Sequence, residues 1–238
     1  MIAAALVSVT ATSSFALERS VERAQVGEND PWRGGTAACS VTYYNACVGW
    51  VWTWRGWSPG DVIGVQYDPC CAPGASASLS YLDMLISVDT PIPPGYGFTG
   101  SIDVWNADGN NCPTGSSLFS TSYLPVHGLT TIDFTSTGSV DVTGPFVVTF
   151  TAGTAGADAV KFRTDFDATG PTGPQGCGAC FPTTRVSHSY YYGTAATPVC
   201  PGSKLSVICE VEWEWSVGMD CATSVEDSSW GAIKSLYH

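Results

Sequence analysis

Ten cysteines in 238 residues constrain this chain more than any other feature. Cys39, Cys47, Cys70, Cys71, Cys112, Cys177, Cys180, Cys200, Cys209 and Cys221 form an even set, and thiols at this density persist where the compartment oxidises them. Residues 1–16 carry no charge and end on Ser14-Phe15-Ala16, a small-x-small cleavage pattern. They read as a signal peptide with Leu17 as the first mature residue, and the missing basic start places the true initiator upstream of Met1. The run is short of the roughly 20 apolar residues that a membrane span needs, so no span is expected. The expectation is a secreted or cell-surface protein held by disulfides, each contributing about 2–4 kcal/mol.

The spacing of the cysteines suggests roles. Cys39 and Cys47 flank Tyr43-Tyr44-Asn45 and suit a bridge that closes a hairpin. Cys70 and Cys71 are adjacent, too strained to pair with each other, and are expected to tie one loop to two separate places. Cys177-Gly-Ala-Cys180 has metal or redox spacing, but it lacks a second matched pair and sits in a Gly/Pro loop, so disulfides are the reading here too.

Period-two alternation, the signature of strands, recurs along the chain. Leu82, Met84, Ile86 and Val88 share one face, as do Ile102 with Val104, and Phe146, Val148 and Phe150. Val207, Cys209, Val211, Trp213 and Trp215 alternate with Glu210, Glu212 and Glu214, which predicts one buried and one acidic, solvated face. Turn signals such as Ser58-Pro59-Gly60-Asp61, Pro91-Ile92-Pro93-Pro94-Gly95 and Asp108-Gly109-Asn110 separate these runs. Together they predict an all-β chain, a disulfide-stabilised antiparallel β-sandwich of jelly-roll type. The expected organisation is a signal peptide at 1–16, a flexible arm at 17–35, the sandwich at 36–221 and a tail at 222–238. In that tail Trp230, Ile233 and Tyr237 recur at helical spacing, a short amphipathic helix.

The formal charge of −12, with only three lysines, repels polyanions and argues against nucleic-acid binding. No Gly-x-Ser-x-Gly, His-Glu-x-x-His or phosphate-cradling glycine loop occurs, so no catalytic residue is nominated by motif. Glu210, Glu212 and Glu214 lie about 6.6 Å apart at two-residue strand spacing, which keeps a polysaccharide hydrolase as an alternative. Asp103, Asn106, Asp108 and Asn110 bring oxygen atoms together at short spacing and are candidate calcium ligands, although Asp108-Gly109 is equally an ordinary hairpin turn. No other cofactor is indicated.

Aromatic residues are the stronger lead. Trp50, Trp52 and Trp54 share a strand face that is expected to fill the core, while Trp57 and the run Tyr190, Tyr191 and Tyr192 are expected to be exposed ligand-binding rings. Sugar rings stack on such flat, partly apolar surfaces.

One stretch resembles a known kind of module. Ser101-Ile-Asp-Val-Trp-Asn-Ala-Asp-Gly-Asn-Asn-Cys-Pro-Thr-Gly-Ser-Ser-Leu118, Leu129-Thr-Thr-Ile-Asp-Phe134 and Val142-Thr-Gly-Pro-Phe-Val-Val148 are similar to the jelly-roll modules of exported bacterial surface proteins. Those modules resemble carbohydrate-binding sandwiches and choice-of-anchor domains. The resemblance implies a non-enzymatic sandwich that recognises a glycan or another cell-surface ligand, or serves the cell envelope. It supplies no catalytic residues. A self-assembling structural subunit, a homo-oligomer of an extracellular layer or fibre, is the further alternative.

Overall fold

A computed structural model describes residues 18–23, 37–45, 50–88, 99–136, 138–153, 160–166, 185–195, 197–204 and 210–221. In chain order the strands are β1 (Glu18–Arg23), β2 (Cys39–Thr42), β3 (Trp50–Arg55), β4 (Asp61–Tyr67), β5 (Ala77–Val88), β6 (Gly100–Ala107) and β7 (Pro113–Tyr123). They continue with β8 (Gly128–Asp133), β9 (Val140–Val142), β10 (Phe146–Ala152), β11 (Val160–Asp165), β12 (Ser189–Thr194), β13 (Thr197–Lys204) and β14 (Trp215–Cys221). Every pairing between these strands is antiparallel. No helix among the described residues is long and apolar enough to cross a membrane.

The strands form two layers, as the alternation predicts. An eight-stranded sheet runs β1-β3-β11-β5-β14-β2, with β8 and β9 on the other edge of β5; a six-stranded sheet runs β13-β12-β4-β10-β6-β7. The chain passes repeatedly from one layer to the other, from β3 to β4 to β5 to β6 and again from β9 through β10 and β11 to β12. Long β5 is the spine of the larger sheet, where Leu82 lies between Val217 of β14 and Ile132 of β8.

Between the layers the alternating apolar residues meet. Trp52, Trp54, Leu82, Met84, Ile86, Phe162 and Val217 from one sheet pack on Ile63, Val65, Ile102, Val104, Phe146, Val148 and Phe150 from the other. Trp52 and Trp54 are therefore core residues, with Trp50 half-buried against them. Phe150 and Phe162 touch across the interface with centroids 4.7 Å apart, and Trp213 lies edge-on to Trp54 at 6.1 Å.

Three expectations change here. Residues 18–23, assigned to a flexible arm, form β1, because β3 otherwise leaves an open edge of N–H and C=O groups. Ser20 and Thr53 also join through their hydroxyls at 2.7 Å. The solvated acidic face near the C-terminus is not solvated: Glu212 and Glu214 are each 1 % exposed. Their segment does not lie on a sheet surface but enters the fork where β11 parts from β5. Glu214 N–H donates to Arg163 C=O and Glu214 C=O accepts from Leu85 N–H, so both sides of the fork are bridged. Finally, Cys39 bonds to Cys70 and not to Cys47.

Cys71 bonds to Cys221, and Cys112 to Cys200. Adjacent Cys70 and Cys71 thus hold one loop by two bridges. Their anchors are not separate places, because β2 and β14 are neighbours and Met219 lies opposite Cys39. Cys47, Cys177, Cys180 and Cys209, the expected signal peptide at 1–16 and the expected helical tail at 222–238 lie outside the described residues.

Candidate functional site: a cleft on the six-stranded sheet

β12 presents its three tyrosines to different surroundings. Tyr191 points toward the core, and its hydroxyl donates to Asp61 Oδ1 at 3.0 Å. Burial, with that hydrogen bond to a carboxylate, pushes its phenol up to about 12. Tyr190 and Tyr192 lie on the opposite, outer face with Val147 and have little exposed surface. Their hydroxyls are occupied: Tyr190 donates to Ser187 C=O at 2.9 Å and accepts from Asn111 Nδ2 at 3.2 Å, and Tyr192 donates to Asn111 C=O at 3.0 Å. Burial, then Tyr190 and Asp108, hold the Tyr192 phenol well above its usual range.

Tyr192 can lie close to the sheet because glycines flank it on both neighbouring strands. A Cβ on Gly64 would come within 3.2 Å of Tyr192 Cε2, and one on Gly202 within 2.8 Å of Tyr192 Cδ1. Beside the ring opens a cleft of about 320 Å3 lined by Val62, Trp105, Pro113, Thr149, Thr151, Tyr192, Ala195, Val199 and Cys200. Trp105, on β6, is half-buried, and its indole Nε1–H donates to Thr149 Oγ1 at 3.0 Å. The indole is therefore fixed in orientation while part of its surface meets solvent. Val199, on the far wall, is half-exposed. None of the described lining residues carries a charge.

Trp57, expected to be an exposed ring, is 2 % exposed. The turn after β3 folds it inward, where its Nε1–H donates to Trp54 C=O at 3.2 Å and its ring stands perpendicular to Phe162. Tyr190, Tyr191 and Tyr192 are likewise not freely exposed, since each is packed and each hydroxyl is bonded. Only Tyr192 among the four expected rings borders the cleft. Trp105 was missed because an isolated tryptophan in an alternating strand has no local signal. Its placement on the same face as Asp103, away from core residues Ile102 and Val104, was nevertheless readable by parity.

The four candidate calcium ligands do not all share one face of the sheet. Asp103 and Asn106 differ by an odd number of residues along β6, whose register with β10 is regular, so they face opposite sides of the sheet. Asp108 Oδ1 is engaged in the turn, accepting from the N–H groups of Asn110 at 2.8 Å and Cys112 at 3.0 Å. Asp103 accepts from Ser101 Oγ at 2.7 Å.

A second polar constellation is interior. Asp165 at the end of β11 is fully buried and receives Arg185 Nη2 at 2.8 and 3.0 Å, Asn45 N–H at 3.0 Å and Glu212 N–H at 2.9 Å. Burial nonetheless raises its carboxyl to about 6, against the opposing pull of Arg185. Glu212 Oε1 accepts from His188 N–H at 2.9 Å, and the His188 ring stacks on Tyr43 with centroids 3.5 Å apart. Glu214 pairs with Arg163 at 2.8 Å, both buried. Acids this enclosed organise the junction of β11, β12 and β14; a polysaccharide has no path to side chains 1 % exposed. Glu210, half-buried, pairs with Lys204 at 2.9 Å. No protein-family model and no curated protein matches the chain.

Proposed function

We propose that this protein is an extracytoplasmic, non-enzymatic β-sandwich that recognises a neutral glycan in the cleft beside Trp105 and Tyr192. The observation that carries the reading is the indole of Trp105, fixed by the buried Thr149 hydroxyl and partly open to solvent in an uncharged cleft whose wall also brings the hydroxyl of Thr151. An aromatic face gains dispersion and CH–π contact with the apolar side of a pyranose, and nearby hydroxyl groups orient its polar rim. The acidic chain and Asp103, on the same sheet face as Trp105, disfavour anionic sugars. The disulfides accord with an oxidising compartment, and the jelly-roll resemblance of residues 99–153 supports a surface-recognition role. Tryptophan fluorescence during titration with cellohexaose, xylohexaose, mannohexaose and polygalacturonate tests it. A saturable change is expected with at least one neutral oligosaccharide, weakened about tenfold or more in Trp105→Ala, which corresponds to about 1.4 kcal/mol of lost stacking. Binding that is equal in Trp105→Ala contradicts the site.

A further inference from the structure

The C-terminal part of β7 and the residue after it read the same in both directions. Leu118-Phe119-Ser120-Thr121-Ser122-Tyr123-Leu124 is a palindrome about Thr121, with one aromatic ring exchanged for another at Phe119 and Tyr123. An antiparallel copy of this stretch sets Leu118 opposite Leu124, Phe119 opposite Tyr123, Ser120 opposite Ser122 and Thr121 opposite itself. β7 is the edge strand of the six-stranded sheet, and its ladder to β6 is regular from Phe119 to Tyr123. Alternate N–H and C=O groups of that stretch point away from β6, and no described strand pairs with them. Phe119 and Tyr123 turn into the core, whereas Leu118 and Leu124 are 38 % and 50 % exposed, with exposed Ser120 and Ser122 between them.

Charge singles out the same edge. The chain carries a formal −12, so copies repel one another over most approaches, yet residues 109–132 contain no Asp, Glu, Lys or Arg. The other described sheet edges are guarded. β1 carries Glu18, Arg19, Glu22 and Arg23, and β13 carries Pro198, Pro201 and Lys204. β2 has only 4 residues, and β8 and β9 carry Asp133 and Asp141. Charge, proline and short length are the usual means by which an edge avoids pairing, and β7 has none of them after Pro113.

We propose that β7 is a self-association edge, on which a second copy of this chain adds its own β7 antiparallel across a twofold axis at Thr121. The two six-stranded sheets join into one continuous sheet. Both Leu118–Leu124 pairs cover apolar surface that meets solvent in the single copy. The contact uses the same edge on both partners, so it closes at two copies and does not grow into a fibre. Its axis stands normal to the sheet, so the outer faces of both copies, each with the cleft beside Trp105, look the same way. The pairing does not rest on the glycan reading and is measured without sugar.

Sedimentation equilibrium of the full, oxidised chain tests the edge. Wild type should pass from one copy to two with a Kd between about 1 μM and 1 mM, the range of a small interface. Ser120→Lys/Ser122→Lys sets ammonium against ammonium at both positions and should weaken pairing about tenfold or more. That variant also lowers the net negative charge, so general repulsion between copies falls and lost pairing reports on the edge itself. Ser120→Lys/Ser122→Glu sets opposite charges across the same axis and should restore the wild-type Kd or better it. Hydrogen exchange supplies a readout on wild type alone: amides of residues 118–124 should gain protection as concentration rises. A wild type that stays a single copy up to about 1 mM overturns the proposal. So does pairing that is equal in the two charge variants, or concentration-dependent protection that avoids β7.

Discussion

Trp57 and Trp105 show how one residue type divides between support and contact. Trp57 contacts Phe162 and Trp213 in the core, so Trp57→Ala leaves a void there and should lower unfolding free energy by about 3–5 kcal/mol in urea titration. Trp105→Ala should instead spare most of the stability and lose the ligand. The Arg163–Glu214 pair is another residue-scale case. Glu214→Ala removes the carboxylate paired with a buried guanidinium and should destabilise by about 3–5 kcal/mol, whereas replacing both partners by apolar residues should recover much of that loss. Asp165 makes a pH prediction. Its folded carboxyl titrates near 6 against an ordinary 3.8, so it protonates more readily in the folded state. Its contribution to stability is full below the unfolded value and is lost as pH rises through about 6. Wild type should therefore lose stability relative to Asp165→Asn between pH 4 and pH 7, measured by paired denaturant titrations; a constant difference contradicts the assignment. None of these burial states is marked in the residue names. Glu212 and Glu214 alternate as a wet strand face does, and only the fork between β11 and β5 makes them interior.

At the scale of elements, alternation was a faithful guide where a strand lies regularly in a sheet. The shared faces of β5, β6 and β10 all point into the core as the period requires. Alternation misleads where the chain turns or wedges, as at Trp57 after β3 and at residues 210–214 before β14, because parity is meaningful only along continuous pairing. Site placement depended on pairing across strands. Tyr192 on β12 and Trp105 on β6 border one cleft across β4 and β10, and no spacing along the chain reports that strand order. β13 is a further dependence. It is an edge strand paired to β12 and fastened to the β6–β7 turn by Cys112–Cys200, a closure of 88 residues. Cys112→Ser/Cys200→Ser should lower stability by about 2–5 kcal/mol. It should also loosen the wall carrying Val199, so that ligand affinity falls with Trp105 intact. Gly202→Val tests the other side of the same wall, since its side chain meets Tyr192 and should displace the ring from the cleft.

For the whole molecule, two layered sheets leave the interior filled with aromatic and aliphatic side chains and place the cleft beside Trp105 and Tyr192 on an outer sheet face. Cysteine count, alternation and turn chemistry make this architecture legible in the sequence alone. Connectivity of the bridges was not, since it follows from which loops the sheets bring together. The central claim is that Trp105 and its cleft mates receive a neutral sugar. Its most direct test is nuclear magnetic resonance on the isotope-labelled, oxidised protein, titrated with the neutral oligosaccharides named above and with polygalacturonate. We predict that a neutral oligosaccharide shifts the Trp105 indole N–H together with Thr149, Thr151 and Tyr192 amides, leaving the buried indoles of Trp54 and Trp57 in place. Shifts that avoid the Trp105 face, or that follow only the acidic polymer, would contradict the account.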